Sequence, residues 1–296
     1  MIRELKTLVA VAEQGTFAAA GQKIGLTQAA VSAQMQRLEA ELGFALFDRE
    51  GRAARLNAMG QQILAQAQEV IRLYENLSSS AAGPAATGRV TLGAIASVQR
   101  AVLPAALAEF HRRCAGCRTR VIPGLSMELI HLVDAGEIDM AAIIRPPFAL
   151  QSDLRWTSLA REPFRLIAPR HVKGGDWATL LASQPFIRYD RASFGGRQVD
   201  RFLRRMHCTV QDVSELDELE AIVELVANGV GVALVPQTVA WRRWPAKVRA
   251  LDLGQHTFHR DIGLVHRAPG TLGEPARLLI QLIESCAREQ LAGAPQ

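Results

Sequence analysis

Residues 16–43 read TFAAAGQKIGLTQAAVSAQMQRLEAELG, and this stretch decides the N-terminal fold. Thr16 stands before Phe17–Ile24, where its hydroxyl can accept a bond from a first-turn amide and start a helix. Gly25 supplies a tight turn. Thr27 caps a further helix, in which Val31, Met35, Leu38 and Leu42 share one face at helical spacing. Gly43 stops it. Small side chains from Ala18 to Gly21 allow the two helices to approach closely. Two short helices about a glycine turn describe a helix-turn-helix.

Working outward, Leu5, Leu8, Val9 and Ala12 mark an amphipathic helix over residues 1–15 that ends at Gly15. On the other side, Phe44, Leu46 and Phe47 alternate as a strand. Gly51 sits in a turn, and Arg55-Leu56 returns, which reads as a β-hairpin wing. A helical stretch follows over 58–80, with Ile63, Leu64, Ala67, Val70, Ile71, Tyr74 and Leu77 as its apolar stripe. Such a stripe needs a cover, and a second copy of the chain is the simplest one. Residues 78–84 (SSSAAGP) are small and flexible and read as a linker.

From Gly88 the pattern alternates strand and helix. Strands are expected over 90–95, 118–122, 140–144, 164–168, 186–189, 230–235 and 262–265. Helices are expected over 104–113, 127–135, 219–227 and 274–288. That alternation argues for a parallel sheet with helices on both faces. The boundaries read as 1–58 for the winged helix-turn-helix, 59–87 for a linker and dimerisation helix with hinge, and 88–296 for the larger α/β domain.

The totals exclude several classes. The chain has 296 residues, 49% of them hydrophobic, with a formal net charge of +5. It is therefore not disordered, and its charge is compatible with a polyanionic partner without pointing strongly to one. Residues 1–57 hold seven Lys or Arg against six Asp or Glu, so gross charge does not single out that end. Four cysteines make no disulfide framework, which fits a reducing compartment. Charges at Arg3, Glu4 and Lys6 interrupt the start, and no apolar run approaches the ~18 residues of a membrane span. A cytoplasmic protein without a membrane partner is expected.

Together these features resemble the LysR-type transcriptional regulators. The resemblance is carried by Phe17-Ala18-Ala19-Ala20, Thr27-Gln28-Ala29-Ala30-Val31-Ser32, Leu38-Glu39, Leu42-Gly43, Leu46-Phe47-Asp48-Arg49 and Arg52. Far along the chain, Val226 to Pro236 (VANGVGVALVP) is similar to the family's late strand-and-turn signature. The chain departs from the family's habit at Ala29 (commonly Pro), Ala33 (often basic), Asn57 (Thr) and Met59 (Ala). The family implies a type 2 periplasmic-binding-protein fold for the C-terminal domain. That means two α/β subdomains with an effector cleft between them, in a homodimer or homotetramer.

The chemistry follows from those placements. Hydrogen-bonding side chains near the N-terminus of the second helix of such a motif enter the major groove. Thr27, Gln28, Ala29, Ser32 and Gln34 are the candidates there, with Arg37 in reach of a phosphate. Arg49, Arg52 and Arg55 lie in the wing, where arginine reads groove shape and charge. In the larger domain, Ser97, Ser126, Arg145 and Ser193 stand at strand ends and helix starts, the positions that line the effector cleft by the family resemblance. Carboxylates are frequent effectors in that family, and helix starts favour anions.

Other chemistries find little support. Cys114 and Cys117 have the C-x-x-C spacing, but a structural zinc needs two more ligands with local spacing. Some members of the family sense peroxide with a cysteine pair in the second subdomain, and Cys208 has no sequence-near partner there. His256 and His259 are the only closely spaced histidines. No Ser/His/Asp set, phosphate-cradling glycine loop or H-E-x-x-H motif occurs. A non-enzymatic regulator with no cofactor or metal is expected, binding double-stranded DNA, a small-molecule effector, itself and RNA polymerase.

Overall fold

The computed structural model describes residues 1–48, 54–80, 88–238 and 244–292. It divides into two compact units, Met1–Gly88 and Arg89–Gln296, leaving aside the short turn Ala135–Glu137.

The first unit contains α1 (Ile2–Gln14), α2 (Phe17–Ile24), α3 (Gln28–Leu42) and α4 (Ala58–Ser80). Local chemistry sets these ends. The Thr16 and Thr27 hydroxyls accept from the amides of Ala19 and Ala30, each at 3.2 Å. Gly15, Gly25 and Gly43 follow the first three helices with φ of 71°, 73° and 84°, a left-handed conformation that only glycine adopts without strain. Gly21 answers a different need. A Cβ there would lie 2.5 Å from the Leu26 carbonyl oxygen, so the turn folds back on α2 only because no side chain intervenes. Leu5, Leu8, Val11, Val31, Met35, Leu38, Leu46 and Ala67 form the core of this unit.

The described residues hold the base of the wing. One antiparallel bridge joins Phe47 to Leu56, flanked by amide bonds from Asp48 to the Arg55 carbonyl and from Asn57 to the Leu46 carbonyl. Its turn, with Arg49, Gly51 and Arg52, lies outside the described residues. α4 runs through Ser80, as expected, and residues 81–84 of the expected linker lie outside the described ones. Asn57 fixes the start of α4. Its Oδ1 accepts from Gly60 N at 2.8 Å while its Nδ2 donates to the Ala45 carbonyl at 2.9 Å. Asn57→Ala is expected to lower the stability of this unit by about 1 kcal/mol, read as a shift in the thermal unfolding of helical circular dichroism. An unchanged transition would mean that water replaces both bonds.

The second unit begins with β1 (Arg89–Ala94), α5 (Ala96–Arg100), α6 (Val102–Arg113), β2 (Arg118–Pro123), α7 (Ser126–Asp134) and β3 (Met140–Ile144). The 16-residue strand β4 (Leu154–Pro169) leads to α8 (Trp177–Ser183), β5 (Pro185–Tyr189), α9 (Phe194–Arg205), β6 (Gln211–Leu216), α10 (Leu219–Ala227), β7 (Ala233–Pro236) and β8 (Val248–Leu251). Then β9 (His259–Arg267) and α11 (Glu274–Ala292) close the chain.

The main sheet runs β2-β1-β3-β9-β4-β7, with β8 also on β4. β1 pairs in parallel with β2 and β3, whereas the pairings of β3 with β9 and of β4 with β9, β7 and β8 are antiparallel. β5 and β6 form a parallel pair, bridged to the chain just before β7 through Phe186 and Val232. The purely parallel sheet expected from the alternation is therefore corrected to a mixed one. β4 and β9 are the cause. Each is long enough to serve two subdomains, and they run antiparallel to each other from one to the other. One subdomain holds β1 to β3. The other holds β5 to β8, around a core that includes Phe164, Phe186, Phe202, Ile222 and Leu234.

Candidate functional sites: a DNA-reading helix and a cleft between two subdomains

The first turn of α3 carries the first of the candidate readers. Thr27, Gln28 and Ala29 are exposed, with the Thr27 hydroxyl engaged as the helix cap. The apolar positions Val31, Met35 and Leu38 bury the opposite face, which obliges this one to face solvent. Arg37 is exposed, 3.7 Å from a Glu4 carboxylate oxygen. Arg55 is exposed beside the wing bridge. Ser32 is only partly exposed, and Gln34 departs from the free placement expected of it. The Gln34 Oε1 accepts a 2.6 Å bond from the Thr7 hydroxyl on α1, so that side chain ties α3 to α1 rather than standing free. Arg49 and Arg52 lie outside the described residues.

In the second unit, a cleft lies between the subdomains. Ile95, Ala96, Ser97, Leu125, Ser126 and Ile144 line it from one side; Tyr189, Ser193, Asp217, Glu218 and Leu219 line it from the other. These positions follow β1, β2, β5 and β6 or begin α5, α7, α9 and α10, with Ile144 at the end of β3. They are the strand-end crevice where α/β folds gather ligands. Three of the four candidate cleft residues, Ser97, Ser126 and Ser193, meet there. Ser193 caps α9, its Oγ accepting from Gly196 N at 3.0 Å and donating to the Asp190 carbonyl. Ser126 Oγ accepts from Ile144 N at 3.1 Å.

Arg145 is the exception. Ile144 lines the cleft, and successive side chains of a strand point to opposite faces. The Arg145 side chain is exposed and lies with its guanidinium 5.8 Å from the Trp156 ring centroid. Arg145 is therefore corrected from a cleft residue to a neighbour of Trp156.

A buried cation underlies the cleft. Arg260 on β9 is fully buried and pairs with Glu162 on β4, the residue opposite it in the ladder. Nε donates to Glu162 Oε2 at 2.7 Å, Nη1 to the Tyr189 hydroxyl at 3.3 Å and Nη2 to Ser97 Oγ at 3.0 Å. One side chain thus ties both subdomains at the place where both crossing strands pass. Burial opposes the Arg260 charge, but Glu162 and Tyr189 outweigh it and hold the guanidinium protonated. Burial also pushes the Tyr189 hydroxyl above its usual range, so it stays neutral. At the mouth, Arg100 on α5 pairs with Glu218 and Glu220 across the cleft.

Sequence reasoning missed Tyr189, Asp217, Glu218, Glu162 and Arg260. Tyr189 could have been found as the last residue of an expected strand. Asp217 follows β6, a strand that shows no alternation.

The cysteines are free thiols. Cys114 and Cys117 flank the turn from α6 to β2, the Cys117 amide donating to the Cys114 carbonyl. Burial raises the Cys208 thiol above its ordinary pKa, which disfavours its thiolate. Among the described residues, no group of His, Cys, Asp and Glu is placed to hold a metal, and no helix is long and apolar enough to cross a membrane.

This architecture is matched by known proteins over nearly its whole length. Residues 2–61 match the model of the bacterial regulatory helix-turn-helix protein, lysR family, and residues 84–287 match that of the LysR substrate binding domain. A probable hydrogen peroxide-inducible genes activator of Mycobacterium avium is 30% identical over 295 residues, 95% of this chain and 93% of that protein. Full-length LysG of Corynebacterium glutamicum, solved with bound effector Arg, superposes with a TM-score of 0.69 at 18% identity, covering 98% of both chains. Full-length CbnR in complex with its target DNA superposes at 0.60 and 21% identity, covering 98% of this chain and 99% of that one. At these identities the two structures establish the shared fold. The two family models together account for both the helix-turn-helix unit and the cleft-bearing unit, and the chain belongs to the LysR family, as a DNA-binding transcriptional regulator with an effector-binding domain.

Proposed function

We propose that the regulator reads duplex DNA with the first turn of α3 in the major groove, led by Gln28, with Thr27, Ala29 and Ser32 alongside. Arg37, Arg55, Arg49 and Arg52 follow the backbone and the neighbouring minor groove. The carrying observation is the exposed first turn at Thr27 to Ala29, set over a buried apolar face. The small molecule that sets its activity occupies the cleft near Ser97, Ser126 and Ser193, and no cofactor takes part. That two relatives of the same fold were solved with target DNA and with a bound small molecule supports both halves of this reading.

The protein works in the cytoplasm as a homo-oligomer and signals to RNA polymerase. Occupation of the cleft favours one arrangement of the two subdomains, and that preference changes the spacing of paired readers on DNA.

The test is binding of the full-length protein to its own upstream intergenic DNA and to a scrambled duplex, across a salt series. Gln28→Ala should narrow the preference for the specific duplex by about 1–3 kcal/mol, the worth of one bidentate base contact, and leave the salt slope unchanged. Arg55→Ala should weaken binding to both duplexes and flatten the slope by about one unit. Equal binding to the two duplexes, unchanged in both variants, would remove the DNA-reading assignment.

A further inference from the structure

The charges around the cleft are lopsided. Two carboxylates line it, Asp217 and Glu218, and among the described residues no Lys, Arg or His does. The nearest cation, Arg260, has no exposed surface and is already matched by Glu162. Glu218 is also matched, by Arg100 across the mouth. Asp217 has no such ion pair among the described residues; the buried Arg260 charge and the Ser193 hydroxyl favour its carboxylate, and Asp190 and Glu218 repel it. Its carboxyl is held above the ordinary range, by burial first and by those two acids next.

The opposite side of the cleft offers hydroxyl protons. Ser126 is 3% exposed, and its oxygen accepts from the Ile144 amide, yet its own proton meets no protein acceptor among the described residues. Ser97 Oγ accepts from Arg260 in the same way. A buried hydroxyl without an acceptor is costly, and a bound group with a lone pair relieves that cost. One side of the cleft therefore lacks a cation and the other lacks an acceptor.

We infer that the effector is a small zwitterion of the amino-acid type, its cationic nitrogen seated on Asp217 and its carboxylate or carbonyl oxygen on Ser126 and Ser97. A dicarboxylate would bring a second negative group against Asp217 and Glu218, with no free cation to receive it. Discrimination rests on the sign of the charge brought beside Asp217 and Glu218, attractive for a cationic nitrogen and repulsive for a second carboxylate. This inference depends on the cleft being the effector site.

The probes are two sets of compounds offered to the full-length protein. The first is the common L-amino acids with agmatine and putrescine. The second is nitrogen-free acids of similar size: propionate, succinate, glutarate and benzoate. Thermal shift identifies responders, and titration calorimetry gives their affinity. The expected result is a response confined to the first set. The affinity of the best responder should fall about tenfold or more in Asp217→Asn, about 1.4 kcal/mol by the usual conversion, and be partly restored in Asp217→Glu. Agmatine and putrescine, which lack the carboxylate, should bind more weakly than arginine and ornithine. Asp217→Asn should unfold at the parent's urea concentration or above it, since it removes a carboxylate that burial and two neighbouring acids disfavour. Responses from the nitrogen-free acids alone, or an amino-acid response indifferent to Asp217→Asn, would overturn the inference and leave the effector cleft standing. Silence from both sets, with specific DNA binding intact, would overturn the inference and the effector role of the cleft together.

Discussion

Glu162→Ala is expected to cost the effector-binding unit about 3–5 kcal/mol, the penalty for leaving a buried charge without its partner. Arg260 is fully buried and Glu162 nearly so. The two remaining partners of the guanidinium, the Tyr189 hydroxyl and Ser97 Oγ, are neutral acceptors, which orient the charge but do not balance it. A domain of this kind holds roughly 5–15 kcal/mol in all, so the loss is a large fraction of its stability. The four tryptophans, Trp156, Trp177, Trp241 and Trp244, all belong to the second unit, so urea unfolding followed by their fluorescence reads the loss directly. The double variant Glu162→Leu/Arg260→Met removes both charges and should recover most of the lost stability, since an apolar pair often replaces a buried ion pair at little cost. The same double variant gives up the side chain that holds Ser97 and Tyr189 together. Its stability should recover while its response to an effector does not. A single-variant loss below about 1 kcal/mol would mean that water reaches the guanidinium and that the pair is not buried in solution.

How much of this could be read in advance depends on how local each signal is. The helix-turn-helix was legible because its instructions sit within a few residues of where they act. Thr16 and Thr27 cap helices that begin at the next residue, and Gly15, Gly25 and Gly43 end them. The segment Leu219–Ala227 was legible for the same reason, with a helical apolar stripe bounded by Asn228-Gly229. The mixed sheet was not, because the direction of a strand is fixed by partners far away. β4 begins on residues such as Arg155 and Ser158 that face solvent, so its pattern looks strand-like only from Phe164 onward. α9 was hidden by Gly195-Gly196 and its arginines. The glycines are there because a Cβ at Gly196 would fall 1.9 Å from the Asp190 carbonyl, a tertiary reason with no local trace. In the cleft, three serines were legible as residues at strand ends and helix starts. Arg145 was misplaced by a single step of strand alternation, and Glu162 and Arg260 are 98 positions apart in sequence with nothing local to announce their pairing.

Leu8→Ala should abolish DNA binding without touching a single DNA-facing residue. Leu8 has no exposed surface and lies in the small core that carries α3. Truncating a buried leucine to alanine costs about 2–5 kcal/mol, more where the surroundings cannot close over the void. A unit of this size has little to spare, because small domains bury a smaller fraction of their surface. The expected result is therefore a helical transition at markedly lower temperature, followed by circular dichroism, with the tryptophan-reported transition of the second unit in place. Binding to specific and scrambled duplexes should fall together, in proportion to the unfolded fraction. That pattern separates loss of the scaffold from loss of a contact, for Gln28→Ala should leave the helical transition alone and reduce only the preference between duplexes. Were Leu8→Ala to retain the parent's helical transition, the core drawn around Leu8, Met35 and Leu38 would not be what holds α3 in position. The surface that Gln28 presents would then need another explanation.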